Sequence, residues 1–132
     1  MAFTGMEDRL RVESEMPWED RDVPVTLYQM LAGTTKKFPK NSATSFQIFS
    51  GPTDKAETLD WQTLHDRTVQ AANLFRSLGV GENDVVAYIL PNCNETLISF
   101  LGGAVAGIVN PINPLLEPEQ IASILRETKA KV

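Results

Sequence analysis

Residues 78–95 constrain the fold of this chain most, because they combine a helix end, a tight turn, a buried strand and a second helix start. Gly79 follows an apolar helical pattern and predicts a left-handed helix end, with Val80 folding back on the last turn. Residues 85–90 are almost all apolar, as expected of a parallel strand that is buried on both faces. This order of elements is typical of α/β proteins.

The alternation of strand and helix continues to the last residue given. Pro91 ends the strand, and an asparagine, Asn92 or Asn94, is expected to cap a helix that ends near Gly107. The pattern then predicts a strand over 108–112, a helix from Pro118 to about Thr128 with Ile121, Ile124 and Leu125 inward, and a further strand beginning at 130. A β-α-β-α-β order predicts a parallel sheet with right-handed crossovers.

The first half of the chain predicts two helices around a β-hairpin. Thr26 is expected to cap a helix over 27–38, and residues 43–49 and 57–60 are expected to form the hairpin. Asp60 then caps a long helix that runs to Leu78. The residues expected to face the core are Leu27, Met30, Leu31 and Phe38 in the first helix, and Trp61, Leu64, Thr68, Ala71, Ala72, Phe75 and Leu78 in the second.

Composition limits the class of protein. The 42% apolar and 22% charged content is that of a soluble globular domain. Residues 1–24 hold seven acids against three arginines and so carry −4 of the net charge of −5. The remainder is nearly neutral and has no basic face for nucleic acid. Residues 1–22 are polar and acidic without helical or strand periodicity, which predicts a flexible arm ahead of a domain over 23–132.

Two features bear on the compartment. Cys93 is the single cysteine and cannot form an internal disulfide, and the first residues have no signal-peptide pattern, so a cytoplasmic protein is expected. Residues 96–116 are uncharged and contain the spacing Gly103-x-x-x-Gly107, which could suggest a membrane span. Because Pro111 and Pro114 interrupt the stretch, a buried helix followed by a strand is the better interpretation.

Four places could carry chemistry, and each has a structural explanation that fits better. Residues 32–40 are rich in threonine, glycine and lysine, as phosphate-binding loops are, but they lie in a helical pattern whose N–H groups are already bonded. The turn at 91–95 could hold an anion at a helix N-terminus, but Glu95 would repel one. His65 has no second histidine for a zinc site, and Cys93 has no nearby base. We expect a solvated histidine and an inert thiol.

Three segments in order resemble the adenylate-forming enzymes, and the acyl-CoA synthetases above all. Residues 59–64 resemble L-(T/S)-(Y/W)-x-E-L, and residues 79–92 resemble G-V-x-x-G-D-x-V-A followed by L-P-N. Residues 106–114 resemble the A-G and N-P-x-N-P stretch. The chain departs from the pattern at Asp60 and Thr63, and Lys129 stands where a helix-ending glycine is common.

The resemblance implies a ligase that uses Mg-ATP to convert a carboxylic acid, such as a fatty acid, to an acyl-adenylate, and then transfers the acyl group to the thiol of CoA. It places the present residues in the N-terminal part of such an enzyme. The expected fold is α/β, with an incomplete, mostly parallel sheet, flanking helices and an N-terminal β-hairpin. Asn113 and Pro114 match a loop near the CoA nucleotide in relatives, so the resemblance implies a cofactor-binding role for them.

The resemblance places the family's catalytic and metal-binding motifs beyond these 132 residues, so we expect no catalysis, and no bound ATP, Mg or CoA, from this segment alone. Its expected partner is the remainder of the enzyme. One alternative is a stand-alone binding or dimerisation module, because an incomplete sheet exposes apolar surface and favours self-association as a dimer. Another is an unrelated nucleotide binder, which would require a glycine-rich loop directly after a strand.

Overall fold

The structure is a computed structural model that describes residues 5–49 and 51–132. An N-terminal arm of helix α1 (Met6–Glu15) and a 3-10 turn (Trp18–Asp20) precedes the domain. The domain follows in the order α2 (Leu27–Lys37), β1 (Ser42–Phe46), β2 (Glu57–Asp60), α3 (Trp61–Ser77), β3 (Val85–Tyr88), α4 (Asn94–Ala106), β4 (Ile108–Pro111) and α5 (Pro118–Thr128). The predicted α/β class, the parallel strands and the separate hairpin are confirmed.

Residues 1–22 were expected to form a flexible arm, but residues 6–15 form helix α1. None of its residues is buried, but i,i+4 ion pairs join Arg9 to Glu13 and Arg11 to Glu15 along its surface. Such pairs stabilise a helix that has no apolar stripe, which is why a search for hydrophobic periodicity does not find it.

The two predicted N-caps, of helices α2 and α3, form as the sequence predicts. Thr26 accepts a hydrogen bond from the Gln29 backbone N–H, and Asp60 accepts one from the Thr63 N–H. The bond from Thr63 is the main cause that lowers the pKa of Asp60. Strands β1 and β2 pair in antiparallel fashion, with Phe46 opposite Glu57. The hairpin therefore lies between helices α2 and α3 in sequence and leads directly into α3.

Strand β3 forms a two-stranded parallel sheet with β4, from Val85 opposite Ile108 to Tyr88 opposite Pro111. On its other side, the Lys131 N–H bonds to the Val85 carbonyl and the Ala87 N–H bonds to the Val132 carbonyl. Residues 131 and 132 therefore lie alongside β3, but the strand expected to begin at 130 is not formed within the described residues. Val86 is 1% exposed, in agreement with a strand that is covered on both faces.

The turn before β3 is tied to the last residues. Gly79 has a φ of +88°, and Val80 is buried and bonds back to Phe75, as predicted for this helix end. The Asp84 carboxylate accepts hydrogen bonds from Lys131 Nζ and from the Gly81 N–H, which in that order lower its pKa. This contribution to stability is present at neutral pH and is lost only as pH falls below the ordinary aspartate range, about pH 4.

Small residues bring helix α4 onto its neighbours. A Cβ on Gly102 would lie 2.6 Å from the Cβ of Ala71 in α3, and a Cβ on Gly103 would lie 3.1 Å from Val109 Cγ2 in β4. The expected close approach of α4 to the sheet is confirmed at Gly103. Helix α4 is followed directly by β4, as the buried-helix interpretation requires. Within residues 5–49 and 51–132, no helix is both long and apolar enough to cross a bilayer.

Part of the expected core is exposed. Leu31 in α2 and Leu64, Thr68 and Ala72 in α3 are buried as predicted. Leu27, Met30 and Phe38 are instead 40%, 49% and 51% exposed, and Leu78, predicted to face the core at the end of α3, is 54% exposed. Only one side of α2 packs against described residues. Leu27 and Phe38 lie outside that contact, whereas Met30 lines an open apolar groove between α2, α3 and α4. In α5, Ile121, Ile124 and Leu125 are half-buried.

Lys129 ends helix α5 in the left-handed region, with φ 50° and ψ 45°. A side chain there costs about 1–2 kcal/mol relative to glycine, part of which is offset by the greater freedom of an unfolded glycine. We expect Lys129→Gly to raise the free energy of unfolding by about 0.5–1 kcal/mol in urea denaturation. Lys129→Ala is the matched control and should give no gain, because alanine keeps the Cβ.

Candidate ligand cleft

Two open clefts lie beyond the carboxyl ends of the parallel strands. The hairpin cleft, about 330 Å³, lies between strand β1 and the start of α4, with Phe46, Tyr88 and Phe100 among its lining residues. The loop cleft, about 320 Å³, lies between the β3–α4 turn and the loop after β4, with Leu90, Ile112 and Asn113 among its lining residues. Tyr88, Asn92 and Thr96 line both, so the clefts adjoin. Open α/β sheets bind ligands at this edge.

Asn113 and Pro114, the residues that the resemblance singles out, line the loop cleft. The Asn113 side-chain oxygen accepts a hydrogen bond from the Leu115 N–H at 2.9 Å. This Asx-type bond orders the loop and leaves the amide nitrogen of Asn113 available to a ligand in that geometry.

Both clefts are lined by uncharged residues. Aromatic, aliphatic, hydroxyl and amide groups form their walls, and no lysine, arginine, aspartate or glutamate is among the described lining residues. Burial raises the pKa of the Tyr88 hydroxyl, so it stays a neutral phenol at physiological pH. The lining offers hydrogen bonds and apolar contact, but no carboxylate for Mg²⁺ and no cation for phosphate.

Asn94 ties the β-hairpin to the start of α4 and so shapes the hairpin cleft. Its side chain is 1% exposed, and its amide nitrogen donates to the Glu57 carbonyl and to the Glu57 carboxylate at 3.2 and 3.0 Å. Its oxygen accepts from the Thr44 hydroxyl at 3.3 Å. These bonds join residues 37 and 50 positions apart, so no local sequence signal indicates them.

The expected asparagine cap of α4 is wrong. Cys93 occupies the N-cap position without a side-chain cap bond, and Asn94 is the first helical residue. The Thr96 hydroxyl bonds to the Pro91 carbonyl instead, and Cys93 Sγ lies 3.2 Å from Thr96 Oγ1. Asn94 does not cap the helix because its amide is already committed to the hairpin.

The remaining sequence candidates hold no ligand site in the part of the chain described. Residues 32–37 lie in helix α2, where Thr34 donates to the Met30 carbonyl and Thr35 to the Trp61 carbonyl, so these hydroxyls cannot bind phosphate. His65 was expected to be solvated, but its side chain is only 20% exposed. Its ring lies 5.9 Å from that of Tyr28, and its Nδ1 lies 3.1 Å from an oxygen of Asp66. No group of three potential metal ligands occurs among residues 5–49 and 51–132.

The fold and the clefts define the class of protein, an α/β scaffold with parallel strands and a ligand cleft beyond the strand ends. The sequence model of the family described as AMP-binding enzyme matches residues 31–132. The chain belongs to this family, and its resemblance to adenylate-forming acyl-CoA synthetases is confirmed.

Named relatives agree. The chain is 30% identical over 136 aligned residues to marinolic acid–CoA ligase of Pseudoalteromonas sp. (strain SANK 73390), covering 98% of this chain and 21% of the relative. It is 28% identical to the long-chain-fatty-acid–CoA ligase of Bacillus subtilis (strain 168), covering 92% and 22%. The chain thus spans about a fifth of the length of these relatives.

Solved structures show the same fold. A fatty acyl CoA synthetase of Mycobacterium tuberculosis superposes with a TM-score of 0.67 at 23% identity, covering 80% of this chain and 20% of that one. A fatty acid AMP ligase from Legionella pneumophila superposes with a TM-score of 0.70 at 18% identity, covering 80% and 18%.

Proposed function

We propose that these residues form the N-terminal scaffold of an AMP-forming acyl-CoA synthetase. The parent reaction joins a carboxylate to the α-phosphate of ATP with release of pyrophosphate, and the CoA thiol then displaces AMP to form the thioester. The observation that carries the proposal is the loop cleft, because it lies at the ligand-binding edge of a sheet that belongs to the AMP-binding family. The relatives named above are ligases of carboxylic acids and CoA.

The neutral lining limits what these residues can do in that reaction. Without a cation or a carboxylate in either described cleft, the phosphates of ATP and CoA and the Mg²⁺ must be held by other parts of the enzyme. Asn113 and Pro114 are proposed to contact an uncharged portion of CoA as it approaches the acyl group. The scaffold would thus orient the acceptor and leave transition-state charge to groups elsewhere.

A chimera tests this proposal. Residues 31–132 replace the matching segment of the Bacillus subtilis long-chain-fatty-acid–CoA ligase, and fatty-acid-dependent CoA thioester formation is measured. We expect the chimera to form thioester, whereas the host without this segment should not. In the chimera, Asn113→Ala should raise the KM for CoA about tenfold, the effect of losing one ordering hydrogen bond, and leave adenylate formation unchanged.

Leu115→Ala is the matched control, because the 88% exposed Leu115 side chain is outside the lining of both clefts and its N–H remains bonded to Asn113. A chimera that is folded by circular dichroism, melts cooperatively and forms neither adenylate nor thioester would contradict the proposal. An Asn113→Ala chimera with an unchanged KM for CoA would contradict the role of the loop cleft alone.

The alternative, a stand-alone binding or dimerisation module, is favoured by the exposed apolar side chains of α2, namely Leu27, Met30 and Phe38. The two candidate functions predict different results for the chimera. A binding module that shares only the fold is not expected to restore thioester formation in the host.

A further inference from the structure

An apolar groove lies between helices α2, α3 and α4, on the face where the sequence predicts core. We call it the α2 groove; it is lined chiefly by Met30, Leu31, Trp61, Leu97 and Leu101, with Thr34 at its edge. The Thr34 hydroxyl is bonded to the Met30 carbonyl and is not available to a ligand. The volume of the groove, about 250 Å³, and its almost wholly apolar lining suit one large apolar side chain of a protein.

The N-terminal arm presents such a side chain. Trp18 is 69% exposed, although tryptophan is among the residues most often buried at the centre of an interface. The Arg21 guanidinium donates to the Val12 carbonyl at 2.9 Å and to the Met16 carbonyl at 3.2 and 3.3 Å, which folds the 3-10 turn back on helix α1. The turn is thus held in place before binding, and less conformational entropy is lost when Trp18 docks.

Charge complements the apolar fit. Glu19 and Asp20 follow Trp18 directly, in the segment of the chain that carries most of the negative charge. Lys36 and Lys37 are exposed at the end of α2. Lys37 lies one turn beyond Thr34 on the same helical face, because residues three apart are neighbours on a helix. Acidic groups beside a docked Trp18 would therefore meet lysines at the end of the groove.

We propose that Trp18 and its acidic turn dock in the α2 groove of a second copy of this chain, giving a two-fold dimer in which each copy supplies one arm and one groove. In this structure the Trp18 side chain lies beside Val12, Met16 and Arg21 of its own arm and is not among the residues that line its own groove. A reciprocal exchange buries both tryptophans and both grooves, which closes the assembly at two copies. This inference is independent of the ligase chemistry.

Sedimentation velocity over a range of protein concentrations tests the dimer. The wild-type chain is expected to dimerise, and Trp18→Ala to raise the dissociation constant about 30-fold, the effect of a hot-spot residue. Lys37→Glu should weaken the dimer at low salt, and pairing it with Glu19→Lys should restore association because the two charges are exchanged. Leu115→Ala, which removes an exposed apolar side chain that does not line the groove, should leave the dissociation constant unchanged.

Three results would overturn the proposal. The wild-type chain could remain monomeric at high concentration, as it would if Trp18 docked in the α2 groove of its own copy. The dimer could persist unchanged in Trp18→Ala, which would place the interface elsewhere. The charge exchange could fail to restore association while Trp18→Ala still weakens it, which would mean that another surface receives the arm. Circular dichroism of each variant shows that the fold is retained.

Discussion

Replacing Gly107 by alanine is expected to lower the free energy of unfolding by about 3 kcal/mol, as measured by urea denaturation. A Cβ at this position would lie 2.5 Å from the Asp84 carbonyl oxygen, 2.6 Å from the Gly81 carbonyl oxygen and 3.0 Å from Val80 Cγ1. The two oxygens belong to the backbone, so the turn before β3 would have to move away from the end of α4. The φ of Gly107 is −167°, so the penalty comes from the close approach and not from the backbone conformation.

Gly33→Ala is the matched control. Gly33 is exposed inside helix α2, and a Cβ there would meet no atom within 4 Å. Alanine should stabilise the helix by about 0.5–1 kcal/mol, the ordinary difference in propensity. If both substitutions changed stability equally, the close approach at Gly107 would not exist in solution.

Replacing Asn94 by alanine is expected to cost about 3 kcal/mol, because it removes three hydrogen bonds from a buried side chain. The Thr44 hydroxyl and the Glu57 carbonyl would lose their partner in a confined space, and the hairpin would separate from α4. Asn94→Asp should be nearly as damaging at neutral pH, although it keeps the shape of the side chain, since it directs a carboxylate at that of Glu57. Both variants are measured by denaturation at pH 7.

Asn92→Ala is the control for position, because Asn92 is two residues earlier and exposed. Its effect should be within about 0.5 kcal/mol, as for most surface substitutions. A small loss for Asn94→Ala would mean that Asn94 does not hold the hairpin. A large loss for Asn92→Ala would mean that Asn92 caps helix α4, which is one of the two caps that the sequence predicts.

The elements that local chemistry determines were predictable from the sequence. Thr26 and Asp60 cap helices where their side chains can reach an N–H three residues on, and Gly79 adopts the left-handed conformation that the turn requires. The parallel pairing of β3 with β4 follows from the short crossover through α4. Asn113 and Pro114, which the resemblance singles out, line the loop cleft, and their role in binding CoA stays a prediction.

The rest depends on contacts that a local pattern does not encode. Asn94 looks like a cap from its position before an apolar helix, whereas its partners lie in the hairpin. Met30 and Phe38 have the spacing of core residues, but the described residues cover only one side of α2. Helix α1 buries none of its residues and carries ion pairs on its surface, so apolar periodicity does not reveal it. In each case the missing information is which distant surface lies opposite the side chain.

Fatty-acid-dependent exchange of labelled pyrophosphate into ATP tests the central claim most directly, that these residues are a scaffold and not a catalyst. It is measured side by side on the isolated 132-residue chain and on the chimera with the Bacillus subtilis ligase. We expect no exchange above background from the isolated chain, because its described clefts hold no group that binds phosphate or Mg²⁺, and clear exchange from the chimera. Exchange by the isolated chain, or none by a folded chimera, would contradict the account.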